Sequence, residues 1–162
     1  MMTPRPNMIR TLAAELASGR TTSIALTEAA LEHAKAHRAA GGAAYVSIDV
    51  QAALAMARAA DAARAAGNVP SLLAGLPVSI KDLFDVAGQV TAAGSRALAH
   101  QPAATADAAA VARLRAAGAV LLGRTNMSEF AFSGLGLNPH YGTPRTPADG
   151  KRAAGGSTSG GA

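Results

Sequence analysis

The segment AAAVARLRAAGAVLLG, Ala108 to Gly123, limits the possible folds more than any other stretch. Its first part is a run of strong helix formers, and Gly118 supplies the stop. The residues that follow, AVLLG, are a short unbroken apolar run, the pattern of a strand buried on both faces. Helix, glycine and buried strand in immediate succession is how α/β layers are written in sequence. Related patterns come earlier. TTSIALTEAALEHAKAHRAAGG reads as a helix, capped by Thr22 or Ser23, with Ile24, Leu26 and Leu31 as apolar positions and Gly41-Gly42 at its end. AAYVSID then reads as a short strand. Asp49 is expected to cap the next helix, VQAALAMARAADAARAAG, which ends at Gly67. NVPSLLAGLP is a loop, and VSIKD begins as a strand that ends near Asp82. A first helix is expected after Pro6, with Ile9, Leu12 and Leu16 on one face and Gly19 as its stop. Asp107 is expected to cap the helix before Gly118. Residues 91–106 look irregular. Residues 124–152 look mostly like loop, with one helical turn around Ser128 to Phe132.

Composition narrows the function classes. At 162 residues the chain is one domain or part of one. Hydrophobic residues reach 49%, which argues against disorder. Much of that fraction is alanine and aromatics are only 3%, so the core is expected to be thin. The formal charge of +5 is spread along the chain. With so few aromatics to stack on bases, it reads as ordinary basic surface and not as a nucleic-acid site. There is no cysteine, which excludes disulfides, thiolate metal sites and a cysteine nucleophile. The start, MMTPRPNMIRTLAAELASGR, has neither the apolar run of a signal peptide nor that of a membrane span. The expected location is the cytoplasm. His33 and His37 have a helical spacing that metals use, but no third ligand is near them in sequence. They are expected on a solvated face, and no metal or cofactor is expected.

Two stretches carry chemistry. Lys81 lies at the end of the apolar strand in GLPVSIKDLFDVAG. Strand carboxyl ends line the ligand crevice of open α/β sheets. A lysine buried there loses its preference for the ammonium form and becomes a general base. The other reading is an ion pair with Asp82 or Asp85. The second stretch is KRAAGGSTSGGA, where glycine pairs enclose Ser157, Thr158 and Ser159. Glycine lets backbone approach a ligand closely, and hydroxyls in such a loop relay protons or act as nucleophiles. The stretch lacks the lysine of a nucleotide-binding P-loop. Taken alone it also reads as a flexible linker.

In combination, AGLPVSIKDLFDVAG, GRTNMSEFAFSG and HYGTPRTPADGKRAAGGSTSGGA resemble the amidase signature family of serine hydrolases. The resemblance covers nearly the whole chain. It implies an α/β fold with a mixed central sheet flanked by helices, incomplete in these 162 residues. It also implies a Ser–Ser–Lys triad. The family lysine falls on Lys81, and the bridging serine, preceded by a cis peptide bond, falls on Ser157, 76 positions later. Neutral Lys81 would draw a proton through Ser157 from a second serine, which attacks an amide carbonyl to form an acyl-enzyme. That nucleophile and the oxyanion hole would lie beyond Ala162, so the chain reads as the N-terminal portion of one amidase-like catalytic domain, expected to be inactive alone. The resemblance places substrate along the segment near Ala131 and Ser133. Thr158 stands where serine is common and Ala154 where proline is common. SEFAFSG is nearer to general amidases than to the amidating components of tRNA-dependent amidotransferases, the alternative within the family. The expected partners are a small amide substrate and, at full length, a second copy in a homodimer.

Two readings outside that mechanism stay open. In one, Ser157 or Ser159 is itself the nucleophile, with Lys81 as its direct base. In the other, the glycine-rich loop is an anion-binding nest in a non-catalytic module. A thin core with unpaired strand edges is expected to self-associate. Sedimentation velocity should show concentration-dependent association of the 162 residues, and a cooperatively melting monomer would overturn that expectation.

Overall fold

The structure, a computed structural model, describes residues 8–161. Pro6, the expected boundary of the first helix, lies outside them. Helix α1 spans Met8–Ala17, α2 Ser23–Ala39, strand β1 Tyr45–Ile48, helix α3 Val50–Ala65 and strand β2 Pro77–Lys81. A long irregular stretch leads to α4, Ala109–Ala116, and β3, Val120–Thr125. After β3 come a 3₁₀ turn at Glu129–Ala131, a hairpin of β4, Arg145–Thr146, and β5, Asp149–Ala153, and a second 3₁₀ turn at Ser159–Gly161.

The main sheet has the order β1-β3-β2. β2 runs parallel to β3 and β1 antiparallel to it, so the sheet is mixed. β3 is central and buried along nearly its whole length, as an unbroken apolar run requires. Its side chains alternate between two clusters. Val120 and Leu122 join Ala53 and Ala57 of α3, with Ile24 and Leu31 of α2 beside them. Leu121 joins Ile80 of β2, Val86 and Val111 of α4. The strand therefore carries both halves of the core.

Small residues set the helix packing. Ala53 and Ala57 are fully buried where α3 meets β3, and Ser23, Thr27 and Ala34 are the buried positions of α2. Thr22 caps α2 by accepting from the Ala25 N–H at 3.0 Å, and Asp49 caps α3 by accepting from that of Ala52 at 3.0 Å. α1 buries Leu16 but leaves Ile9 exposed.

Three expectations need correction. Asp107 does not cap α4. Its N-cap is Ala108, which has no side-chain cap bond, and the Asp107 carboxylate instead accepts from the Ala87 N–H and Arg115 Nε, tying α4 to the loop after β2. β3 continues past Gly123 through Arg124 and Thr125, because β1 and β2 pair with both residues. The segment 145–153 is a hairpin, not loop, with Thr146 opposite Asp149 across Pro147-Ala148. Its strands are polar and largely exposed, so no apolar alternation marks them.

Gly123 sits where β3 is flanked by two irregular pairings, next to Ile48 of β1 and Ser79 of β2. A Cβ there would lie 2.6 Å from the Ser47 carbonyl oxygen and 2.9 Å from Ile48 Cγ1. Backbone cannot yield cheaply, so Gly123→Ala should destabilise the fold by about 1–3 kcal/mol. The urea unfolding midpoint measures this, and an unchanged midpoint would show that β1 is free to move away.

Candidate active site

The sheet delivers Lys81 to its position. It is the last residue of β2, opposite Thr125 of β3, at the carboxyl end of the parallel pair. The side chain is half-buried, less than the sequence suggested. Its amine, Nζ, lies 2.7 Å from Ser157 Oγ and 3.0 Å from Thr158 Oγ1. Burial holds the amine below its ordinary lysine value. The expected alternative, an ion pair with Asp82 or Asp85, is overturned. Asp82 faces Arg124, Asp85 is exposed, and no carboxylate of the described residues pairs with Lys81.

The glycine-rich loop is seated by main-chain bonds. The Gly156 N–H donates to the Gly134 carbonyl at 2.8 Å, and the Ser157 carbonyl accepts from the Ser128 N–H at 3.1 Å. The Gly160 N–H donates to the Asn126 carbonyl at 2.9 Å. The Gly156–Ser157 peptide is cis. Gly156 passes so close to Gly136 that a Cβ would lie 2.6 Å from the Gly136 nitrogen and 2.8 Å from Ser128 Oγ. Only glycine fits there, which excludes a free linker.

Ala131 and Ser133 lie in the loop that wraps this backbone. The Ser133 carbonyl accepts from Ser128 Oγ at 2.9 Å, and its own hydroxyl accepts from the Leu135 N–H. Ala131 has a φ of 58°. Neither residue hydrogen-bonds to Lys81. Ser159 is 2% exposed, and its hydroxyl has no hydrogen-bond partner among the described residues, Lys81 included.

Sequence reading marked Asp82 and the odd strand end at Arg124 to Asn126 but missed how they pair to hold the site together. The Asp82 carboxylate accepts from Arg124 Nε at 2.6 Å and from the Gly94 N–H at 2.8 Å. Arg124 also donates to the Phe84 carbonyl. Buried Asn126 donates to the carbonyls of Ala43 and Gly142, and buried Asn138 to those of Gly94 and Met127. The signal available was a polar residue adjoining an apolar strand, at Asp82 and at Arg124 to Asn126. His33 and His37 are exposed on α2, and no group of three potential ligands among the described residues could hold a metal ion. A cavity of about 690 Å³ opens between α2, β1 and α3, and neither Lys81 nor Ser157 borders it.

The family model described as Amidase matches residues 25–162. The chain belongs to the amidase family. It is 47% identical over 145 residues to AtzE, a component of the 1-carboxybiuret hydrolase of Pseudomonas sp. (strain ADP), covering 90% of this chain and 32% of that one. It is 48% identical over 119 residues to a component of the glutamyl-tRNA(Gln) amidotransferase of Azoarcus sp. (strain BH72), covering 74% and 24%. Among solved structures, it superposes with a TM-score of 0.87 and 46% identity on a chain of a vestigial protein complex tied to the origins of an s-triazine catabolic enzyme, covering 93% and 33%. A peptide amidase bound to the competitive inhibitor chymostatin gives 0.85 and 35%, covering 94% and 32%. This amidase-family chain thus spans about a third of the length of these relatives, or less. The mixed α/β sheet with flanking helices is that of amidase-signature enzymes.

The lowered Lys81 value has a thermodynamic consequence. The unfolded chain keeps the lysine proton to higher pH than the folded chain does. Between the two values the unfolded state binds more protons, so stability rises with pH there. Below that window the half-buried ammonium is a standing penalty. Subtracting the stability profile of Lys81→Met from that of the wild type should leave a rise with pH in the alkaline range below the ordinary lysine value. A flat difference would mean that the amine is solvated as in the unfolded chain.

Proposed function

We propose that this chain carries the proton-relay part of an amidase site, which hydrolyses the C–N bond of a small carboxamide to an acid and ammonia or an amine. One observation carries the reading: Lys81 Nζ lies 2.7 Å from Ser157 Oγ, across 76 residues of sequence, with no carboxylate of the described residues paired to it. Neutral Lys81 keeps two N–H donors and a lone pair. Nζ lies within donating distance of both Ser157 Oγ, at 2.7 Å, and Thr158 Oγ1, at 3.0 Å; once neutral, its lone pair is free to accept the Ser157 proton. Ser157 gives its proton to Lys81 and takes one from the attacking serine, whose oxygen bonds to the amide carbonyl carbon. As the C–N bond breaks, the proton returns through Ser157 to the leaving nitrogen, and water then releases the acid.

The attacking serine and the oxyanion donors belong to chain beyond Ala162 in this reading, and the 162 residues alone are inactive. Ala131 and Ser133 border the substrate through their main chain. The protein acts in the cytoplasm, as a homodimer at full length. The second reading is the component of a tRNA-dependent amidotransferase that releases ammonia from glutamine. It is favoured by the 48% identity to the Azoarcus protein.

The test is ammonia release from carboxamides and glutamine by the gene product extended past Ala162. Lys81→Ala and Ser157→Ala should each lower kcat/KM about a hundred- to ten-thousand-fold. Release that needs glutamine and a second protein selects the second reading. A fluorophosphonate that labels Ser157 or Ser159 in the 162 residues alone would overturn the relay and make that serine the nucleophile.

A further inference from the structure

Asp149 is the one aspartate or asparagine of the chain that a glycine follows. Every other one precedes a residue with a side chain. The difference is chemical. A glycine nitrogen has no side chain beside it to block attack, and its backbone turns freely. The carboxyl carbon of a preceding aspartate can close a five-membered ring on that nitrogen.

The fold leaves this pair free. Asp149 and Gly150 are exposed, directly after the turn between β4 and β5. The ladder pairs Thr146 with Asp149 and Arg145 with Ala153, so Gly150, Lys151 and Arg152 face no residue of β4. Backbone in such a bulge is not fixed by strand pairing. A Cβ built on Gly150 meets nothing within 4 Å. The Asp149 carboxylate folds forward over the bulge, where Oδ1 accepts from the Lys151 N–H at 3.0 Å. That bond closes a ring containing the Gly150 nitrogen, so the carboxyl group already lies over the peptide it would join. Other aspartates are tied elsewhere. Asp49 caps α3, Asp61 accepts from the N–H groups of Ser23 and Ile24, and Asp82 and Asp107 are held by arginines. Asp85 is exposed but precedes buried, branched Val86.

We propose that Asp149–Gly150 is a site of spontaneous isoaspartate formation in the folded chain, and so a substrate for enzymes that methylate isoaspartyl carboxylates. The Gly150 nitrogen bonds to Asp149 Cγ and loses its proton, a carboxyl oxygen leaves as water, and a succinimide results. Water then adds to one of the two ring carbonyls. Addition at Cγ restores aspartate. Addition at the main-chain carbonyl breaks its bond to nitrogen, frees an α-carboxylate and leaves the chain running through Cβ and Cγ. One water is lost and one gained, with no oxidant or reductant. The isomer lengthens the main chain by one atom, within a segment that has no ladder partners to break. Beyond that segment, the Ala154 N–H donates to the Pro144 carbonyl and the chain enters the glycine-rich loop.

The test incubates the 162-residue protein at neutral pH and body temperature. Isoaspartate is read by transfer of a tritiated methyl group from S-adenosylmethionine by an isoaspartyl methyltransferase, followed by peptide mapping. Label should accumulate with time in the peptide that contains Asp149. Asp149→Glu should remove it, because the longer side chain does not close the five-membered ring. Gly150→Val should remove it by shielding the nitrogen, and the backbone there accepts a side chain, since its φ lies outside the left-handed region and the space is open. A synthetic peptide of residues 144–154 gives the rate without the fold. The protein should match that rate to within roughly tenfold, as a segment that opens at little cost does. A protein rate slower than the peptide's by more than about tenfold means that the hairpin holds the carboxyl group away from the nitrogen, and overturns the proposal. Label spread evenly over the peptides of the other aspartates, or persisting in Asp149→Glu, also overturns it.

Discussion

The buried pair of Asp82 and Arg124 fixes the end of β2 to the end of β3, the junction at which Lys81 leaves the sheet. Asp82 leaves the ladder with its N–H still donating to the Thr125 carbonyl, while its side chain holds Arg124 and the Gly94 N–H. Its carbonyl accepts from the Ala93 N–H, and the Ala93 carbonyl accepts from the Phe130 N–H. One residue thus joins two strands, the 93–94 turn and the turn after β3. Losing one partner of such a pair leaves a bare buried charge and costs about 3–5 kcal/mol, whereas the intact pair adds little net stability. Its value is geometric: it leaves Lys81 one place to be.

A second constraint comes from the shortage of large side chains. The α3 contact with β3 rests on alanines, which bring the helix close but bury little area each. Precision at the site therefore comes from hydrogen bonds to main chain. Asn126 and Asn138, each 2% exposed or less, cross-link four segments through backbone carbonyls. Asn138 Oδ1 also accepts from the N–H groups of His140 and Tyr141, so both ends of its amide are used. A buried amide that satisfies several main-chain groups specifies one arrangement, because any other leaves polar atoms without partners.

Much of this was legible in the sequence, for physical reasons. Helix stops at glycines, the caps at Thr22 and Asp49 and the buried run of β3 are local signals, and each fold element they mark is present. The separate oddities of Lys81 and the Ser157 loop were legible too, but not their 2.7 Å contact, which residues alone do not give and which only the resemblance implied. Asp107 misled because a capping residue type in the right place had a better partner in Arg115, eight positions on. Asp82 was offered to Lys81 by adjacency. Successive strand residues point to opposite faces, so the neighbour in sequence is the wrong partner. Arg124, on the next strand, is the right one. The polar hairpin of β4 and β5 had no periodic signal because neither face is buried.

The exposed apolar side chains gather on the same few segments as the chemistry. Leu83 and Phe84 follow Lys81, and Phe130, Phe132, Leu135 and Leu137 belong to the loop that wraps Gly155 to Ser157. Phe132 is 94% exposed and Leu135 66%. Lowering a lysine toward neutrality needs low polarity around it, and the half-buried Lys81 of this chain has only part of that environment.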